Sequence, residues 1–267
     1  MDVVAVTDPA DPRLEPYRSV RDRDLARLDA FMAEGETVVE TLLGSPLHRP
    51  DSLLLSERQA ARLLPRWRDR LQVPAYVAPQ AVLDAVVGFH LHRGVLACGR
   101  RAPAAEPEAL VGAPGEPSTI LLLAGLSNHD NVGAAFRNAA AFGAAAVLLD
   151  PACCDPLYRK AIRVSVGAAL LTPFARVASA EAGARLLAET GYDLLALSPD
   201  GRERLDQLRP SPRTALLLGA EGPGLSIDLR RRLRTVKVAM APGLDSLNVA
   251  AAAAIALHHL WTARAPD

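Results

Sequence analysis

The sequence predicts an α/β protein built from two domains. Short apolar runs of strand length alternate with segments of helical pattern along most of the chain, which is typical of domains in which strands and helices pack in layers. Between residues 101 and 117, prolines and glycines accumulate and no hydrophobic periodicity is sustained. Such a composition favours a linker. We therefore predict one domain over residues 1–100 and a second over residues 118–267.

The first domain is predicted to contain three strands and three helices. One helix is expected over Leu25–Val39, with Phe31 and Met32 on its apolar face. Short apolar runs predict the strands. Ser56 is expected to cap the helix that begins at Glu57. The strands are Ser52–Leu55, Ala75–Val77 and Gly94–Cys98, and the other helices are Glu57–Leu64 and Pro79–Val87.

The second domain shows a stronger alternation of strands and helices. Its strand-like runs are continuously apolar, as expected for parallel strands buried on both faces. The predicted strands are Ile120–Ala124, Ala145–Leu149, Asp193–Leu197, Ala215–Gly219 and Val236–Met240. The predicted helices are Val132–Phe142, Pro156–Val166, Ser179–Thr190, Leu225–Leu233 and Leu247–Trp261. This half is therefore predicted to form a parallel sheet.

The composition is that of a folded protein. Of 267 residues, 50% are apolar and 22% are charged, which excludes a disordered chain. Three cysteines cannot form a disulfide framework, so we expect a protein of the reducing cytoplasm. No spacing of cysteine and histidine indicates a metal site. The chain opens without a basic, apolar leader, and its most apolar stretch, Leu247–Leu257, is shorter than the ~20 residues of a membrane span. We therefore expect no membrane segment.

Charge is balanced, with 30 basic and 30 acidic residues, which argues weakly against a nucleic-acid-binding protein. All basic residues except Lys160 and Lys237 are arginine, and arginine makes bidentate contacts to phosphate. A GC-rich genome would produce the same bias. Stretches that could bind nucleic acid, or could equally be solvated helix faces, are Arg18–Arg27, Arg58–Arg70, Arg100–Arg101 and Arg230–Arg234.

The first segment whose side chains could take part in binding or catalysis is Asn128–Asn138, directly after a predicted strand. Asp130 or Asn131 can cap the following helix. Arg137 lies nearly two turns into that helix among alanines. It is either a surface arginine on the polar stripe or a buried cation that needs a partner or a task.

Two further segments resemble ligand-binding loops. In Leu216–Ser226, a strand runs into a loop with three glycines, at positions 219, 222 and 224, and the carboxylate of Glu221. The spacing is neither the dinucleotide fingerprint nor a phosphate loop, and it fits a ligand contact or a tight turn. In Met240–Ala250, Ser246 or Asn248 can cap the last helix, or can hold a ligand at its N-terminus.

Taken together and in this order, the three segments resemble the motifs of the SpoU (TrmH-like) branch of the SPOUT RNA methyltransferases. The stretch Arg159–Ala168, which ends in Ser-x-Gly-Ala, supports the resemblance. The resemblance is dense over residues 118–267 and looser over residues 15–100, where the chain is similar to a ribosomal-protein-like RNA-binding extension ending at Gly88–Val95. The chain departs from the family pattern in two loops, at Asn128–Asn131 and at Ala239, which replaces a proline.

The resemblance implies a catalytic domain with a trefoil knot that holds S-adenosylmethionine and requires no metal. The cofactor-binding residues that it implies are Leu197, Gly219, Gly222, Val238, Met240 and Leu247. It also implies methyl transfer to a ribose 2′-hydroxyl of structured RNA, rRNA in preference to tRNA, by a homodimer whose last helix lies at the interface. A non-catalytic RNA-binding protein and a nucleotide-dependent enzyme such as a dehydrogenase are the alternatives.

The implied catalytic set is Asn131, Arg137, Glu221, Ser246 and Asn248. The family scheme makes Arg137 the base or its activator. A guanidinium stays protonated in proteins, so we favour a role in holding the RNA phosphate and stabilising a developing alkoxide. The other four residues would then orient Arg137, the ribose and the methionine end of the cofactor.

Overall fold

The computed structural model describes residues 2–18, 22–113, 115–222 and 224–264. The chain forms two compact units. The first extends to Pro103 and includes Leu157–Leu171, and the second contains Ala104–Pro156 and the chain from Thr172 onward. This division differs from the predicted boundaries, because a segment from the middle of the second half packs with the first unit.

The first unit is built on a five-stranded mixed sheet with the order β1-β4-β3-β5-β2. Strands β1, β4 and β3 are parallel, whereas β5 pairs antiparallel with both β3 and β2. The strands are β1 (Val3–Ala5), β2 (Ala30–Glu34), β3 (Arg49–Ser56), β4 (Ala75–Ala78) and β5 (Val95–Arg100). The helices are α1 (Asp22–Arg27), α2 (Glu36–Leu43), α3 (Glu57–Trp67), α4 (Gln80–Val87) and α7 (Arg159–Val164), with short 3-10 helices at Pro12–Tyr17 and Ala168–Leu170.

Most elements predicted in the first domain occur, but the predicted helix over Leu25–Val39 is wrong. Its centre is the strand β2, which lies between α1 and α2. Asp29 and Gly35 adopt positive φ values of 51° and 95° on either side of the strand, and these conformations are incompatible with a continuous helix. Phe31, predicted on a helical face, is buried in the sheet.

The second unit contains a seven-stranded, entirely parallel sheet with the order β10-β12-β9-β11-β6-β7-β8. Its strands are β6 (Ser118–Ala124), β7 (Ala146–Leu149), β8 (Phe174–Arg176), β9 (Asp193–Leu197), β10 (Glu203–Arg204), β11 (Arg213–Gly219) and β12 (Arg234–Lys237). Its helices are α5 (Pro107–Leu110), α6 (His129–Ala141), α8 (Ala180–Glu189), α9 (Ile227–Arg232) and α10 (Val249–Thr262), with a 3-10 helix at Leu205–Gln207. The predicted α/β class and parallel sheet are therefore confirmed.

Several details of the second unit depart from the prediction. The side chain of Asn128, not that of Asp130 or Asn131, caps α6. The cap of α10, by contrast, is one of the two that were predicted: Asn248 accepts from the N–H groups of Ala250 and Ala251 at 2.9 and 3.2 Å. Strand β12 ends at Lys237, so the last residues of the predicted strand, Val238–Met240, continue as a loop.

The predicted linker is partly built into the second unit. Val111 is buried, and its carbonyl oxygen accepts from the hydroxyl of Tyr192 at 2.6 Å and from Arg213 Nη2 at 2.9 Å. The Arg213 guanidinium also donates to the carbonyl oxygens of Ala113 and Glu116. A buried cation from β11 thus fixes the chain that leads into the sheet.

Candidate functional site

A cavity of about 410 Å³ lies in the second unit, where strands of the parallel sheet end. The carboxyl ends of parallel strands are the usual place for ligands in α/β folds. Four segments line the cavity: Leu197–Pro199 after β9, Leu218–Gly222 with Gly224 after β11, Val238 and Met240 after β12, and Ser246–Val249 with Ala252 at the start of α10. The cavity is therefore built from segments distant in the sequence.

Most of the site residues predicted from the sequence line this cavity. They include the six residues assigned to the cofactor, Leu197, Gly219, Gly222, Val238, Met240 and Leu247, and the polar residues Glu221, Ser246 and Asn248. Asn131 and Arg137 do not line it. The structure thus brings nine of the eleven predicted residues together around one cavity.

Asn131 is connected to the cavity through hydrogen bonds. Its amide is 6% exposed; Nδ2 donates to Glu221 Oε1 at 2.5 Å, and Oδ1 accepts from Asn248 Nδ2 at 2.9 Å. Asn248 Nδ2 also lies 3.4 Å from Glu221 Oε1. One residue from each of the three predicted segments therefore meets in a single network, and a buried amide fixes the loops that carry Glu221 and Asn248.

Arg137 is exposed on α6. Its guanidinium makes no hydrogen bond or ion pair with the part of the chain that the structure describes. The next residue, Asn138, donates to the carbonyl oxygen of Ala250 at 2.8 Å and so ties α6 to the first turn of α10. The helix is thereby held beside the cavity, while Arg137 is presented to solvent.

The glycines of the loop after β11 serve different purposes. A Cβ atom on Gly219 would lie 2.2 Å from the carbonyl carbon of Gly224 and from the nitrogen of Leu225, so two backbone segments approach each other there. A Cβ atom on Gly222 would meet nothing within 4 Å, but its φ of +87° favours glycine. The loop is a tight turn closed by the bond from the Gly224 N–H to the Ala220 carbonyl oxygen, and its backbone lines the cavity.

Some lining residues were not identified from the sequence. Ser198 and Pro199 follow β9, and Ala252 lies in the first turn of α10. Ser198 is 7% exposed, and its hydroxyl lies 3.4 Å from Arg230 Nη1. The position of Ser198 directly after a buried parallel strand was the available signal, whereas nothing in the alanine-rich pattern distinguishes Ala252 from its neighbours.

The residues that the structure describes contain no group of three or more His, Cys, Asp or Glu side chains that could hold a metal ion. None of their helices is both long enough and apolar enough to cross a bilayer.

Comparison with known proteins gives related sequences and related folds. Residues 118–258 match the model of the SpoU rRNA Methylase family. The chain is 42% identical over 271 residues to an uncharacterized tRNA/rRNA methyltransferase of Mycobacterium bovis, and the match covers 97% of this chain and 91% of the relative.

Two solved structures share the fold. One is an AdoMet-bound rRNA methyltransferase from Sinorhizobium meliloti, with a TM-score of 0.81 and 23% identity over 99% of each chain. The other is an RNA 2′-O ribose methyltransferase, with a TM-score of 0.78 and 23% identity over 98% of this chain and 99% of the other.

Proposed function

Because this chain belongs to the SpoU rRNA methylase family, we propose that it transfers a methyl group from S-adenosylmethionine to a ribose 2′-hydroxyl of RNA. Family membership makes the chain an RNA methyltransferase. The observation that carries the finer proposal is the cavity around which nine predicted residues assemble, joined to the first motif by the hydrogen bonds of Asn131. Ribosomal RNA is proposed as the substrate in preference to tRNA, and the cytoplasm as the location.

The residues of the cavity fit the cofactor. A volume of about 410 Å³ falls within the ~300–1,000 Å³ that is typical of small-molecule sites. Leu197, Val238 and Leu247 offer apolar surface for an adenine ring, and Glu221 and Asn248 offer polar atoms for the ribose or the methionine end. The backbone around Gly222 has open space on its side-chain side, so a ligand can approach it closely.

When bound, S-adenosylmethionine supplies a methyl group that is already activated on a sulfonium. The chain must then align the ribose oxygen with that methyl group, and good alignment can lower the barrier by as much as ~7–11 kcal/mol. The network of Asn131, Glu221 and Asn248 fixes the loops that would do this. Ser246, exposed at the rim of the cavity, is placed to contact the ribose or the methionine end.

The proposed role of Arg137 is to hold the RNA phosphate beside the target ribose and to stabilise charge developing on the 2′-oxygen. Its exposure, and the absence of a bond to any described side chain, leave the guanidinium available for this contact. A guanidinium stays protonated in proteins, so the hydroxyl proton passes to water or phosphate.

We further propose a homodimer and a knotted chain. Helix α10 exposes Ile255 (44%) and Trp261 (52%), apolar side chains that a second copy would cover. The mass in light scattering is expected to be twice 28.3 kDa, and a monomer at micromolar concentration would contradict this assembly. The trefoil knot implied by the resemblance would bring the segment before α10 beside the end of β11, where Leu247 and Gly219 line one cavity.

The experiment combines methyl transfer with identification of the product. The protein is incubated with S-adenosylmethionine carrying a labelled methyl group and with total RNA from a strain lacking the gene, and the RNA is digested to nucleosides. We expect the label in 2′-O-methylated nucleosides of rRNA. Arg137→Ala should remove transfer while leaving the affinity for S-adenosylmethionine within a few-fold. Label found on bases alone would contradict the ribose assignment.

A further inference from the structure

The arginine-rich stretches of the first unit are largely engaged in internal bonds. Arg66 pairs with Glu36 at 2.6 Å and with Glu40 at 2.9 Å, and Arg62 also pairs with Glu36. Arg100 pairs with Asp51 at 2.9 Å. Such pairs reduce the positive potential that would attract phosphate. In the stretch Arg18–Arg27, Arg21 lies outside the described residues. Arg58 and Arg68 make no such pair with the described residues, but neither of them lines a cavity.

A second cavity, of about 420 Å³, lies within the first unit and is lined by two exposed arginines, Arg93 and Arg163. Neither guanidinium makes a hydrogen bond or ion pair with any residue in the described ranges. The one carboxylate that lines the cavity, Glu36, is already balanced by its two arginine partners. This cavity therefore carries unneutralised positive charge.

An exposed aromatic ring lies on the same surface. Phe89 is 43% exposed, and the Arg159 guanidinium carbon lies 5.4 Å from the centre of its ring. Phe89 and Arg93 are four residues apart in one loop, and Arg159 and Arg163 are four residues apart on one face of α7. The loop and the helix therefore face each other at both ends, and we call residues 89–93 and 159–166 the loop–helix surface.

Val166, at the end of this surface, is in an unusual conformation. Its φ is +52°, a region that β-branched residues rarely occupy, and its side chain is 38% exposed and lines the second cavity. Strain of this kind is concentrated at ligand-contact sites. The segment therefore holds an apolar side chain on the surface at a cost to stability.

We propose that the loop–helix surface binds a single-stranded segment of the RNA substrate, with a phosphate between Arg93 and Arg163 and an unpaired base stacked on Phe89. Free cations beside an exposed aromatic ring are the combination by which proteins hold single strands. A ring of this kind can stack only on a base that is not already stacked in a helix. The proposal rests on the proposed function, because it names where that enzyme holds its substrate.

The test is fluorescence anisotropy of the full chain with labelled oligouridylate and with a duplex RNA of the same length. The double variant Arg93→Ala/Arg163→Ala should weaken oligouridylate binding. Each phosphate contact on a single strand contributes about 0.7 to the slope of log K against log salt, so loss of the one phosphate held between the two arginines should lower the slope by about 0.7. The matched control is Arg58→Ala/Arg68→Ala, which removes two exposed arginines, one in α3 and one directly after it, that line neither cavity and should leave the slope unchanged.

Substitutions of Phe89 test the stacking part of the proposal separately. Phe89→Ala should lower the oligouridylate affinity by about 5- to 150-fold, the value of one stacked base, without changing the salt slope. Phe89→Trp should retain the affinity. All variants should give the circular dichroism spectrum and the thermal unfolding curve of the wild type, which verifies that the first unit is folded, and should bind S-adenosylmethionine as the wild type does.

The outcomes separate the two proposals. Wild-type slope and affinity in the Arg93→Ala/Arg163→Ala variant, or a preference of the wild type for duplex over oligouridylate, would overturn the assignment of this surface while methyl transfer persisted. A protein that binds oligouridylate through this surface but methylates no RNA would overturn the proposed function alone.

Discussion

Asn131 is the residue through which the polar side of the first cavity is held together. Its amide is buried, donates to Glu221 and accepts from Asn248. An amide can do both because it carries a donor and an acceptor. A side chain of the same shape with only acceptors would remove the shorter of the two hydrogen bonds that Glu221 Oε1 accepts in this network.

Asn131→Asp tests this arrangement. The new carboxylate would face Glu221 Oε1 across a distance that is now 2.5 Å, and two adjacent carboxylates raise the pKa of one of them. A raised folded-state pKa means that stability is lost as the pH rises and recovers as it falls, because one proton is then shared. At pH about 8 we expect the variant to lose about 1–3 kcal/mol of the free energy of unfolding relative to the wild type, and at pH about 5 we expect a smaller loss. Urea unfolding at both pH values measures this, and equal losses would contradict it.

Alanine substitutions at Gly219 and Gly222 distinguish the effect of close backbone packing from the effect of a positive φ. In Gly219→Ala, the new Cβ atom would collide with the backbone of Gly224 and Leu225, so the loop must move and affinity for S-adenosylmethionine should fall steeply. In the control Gly222→Ala, the Cβ atom meets nothing, and only the positive φ costs energy, about 1–2 kcal/mol. Calorimetric titration measures the affinity of both variants for S-adenosylmethionine. A smaller loss of affinity in Gly219→Ala than in Gly222→Ala would contradict this prediction.

At the scale of secondary-structure elements, most strands could be predicted from their apolar runs and some could not. The continuously apolar strands β6, β9 and β11 could be predicted because parallel strands buried on both faces have that composition. Strand β2 could not, because an apolar run of four or five residues fits a buried helix as well as a strand. The short strands β8 and β10 have no distinctive pattern, and pairing with neighbours in the sheet defines them.

His48, which directly precedes β3, makes the first unit sensitive to acid. Its ring is buried, accepts from the Ala102 N–H at 3.0 Å and packs edge-on against Phe31. Burial, together with the nearby charge of Arg101, lowers the pKa of His48 to about 4. The unfolded chain, with a pKa of about 6.5, therefore binds the proton first, so stability is present above pH 6.5 and is lost as the pH falls toward 4.

His48→Asn should remove this dependence, because Oδ1 can accept the same hydrogen bond without titrating. As the pH falls from about 6.5 to about 4, the free energy of unfolding of the wild type should decrease by up to ~1.4 kcal/mol per pH unit more than that of the variant. Urea unfolding followed by the fluorescence of Trp67, which is buried in the first unit, measures the difference. Identical pH profiles for the two proteins would show that His48 is not buried as a neutral ring.

At the scale of the whole molecule, the ordered motifs predicted which residues would meet, although they lie far apart in the chain. Asn131, Glu221 and Asn248 form one network. The packing of Leu157–Leu171 with the first unit could not be predicted, since periodicity reports which face of a helix is buried but not what covers it. The second cavity could not be predicted for the same reason, because Arg93 and Arg163 lie 70 positions apart.

The first cavity is assigned to S-adenosylmethionine, and calorimetric titration of a cavity-filling variant is the most direct test of this assignment. Ala252 lines the cavity, so Ala252→Trp should occupy the space of the cofactor, whereas the control Ala188→Trp places the same ring on an exposed position of α8. We predict one S-adenosylmethionine bound per chain in the wild type and in Ala188→Trp, and binding weakened at least 100-fold in Ala252→Trp, a difference of about 2.7 kcal/mol. Absence of binding by the wild type, or equal affinity in Ala252→Trp, would contradict the account.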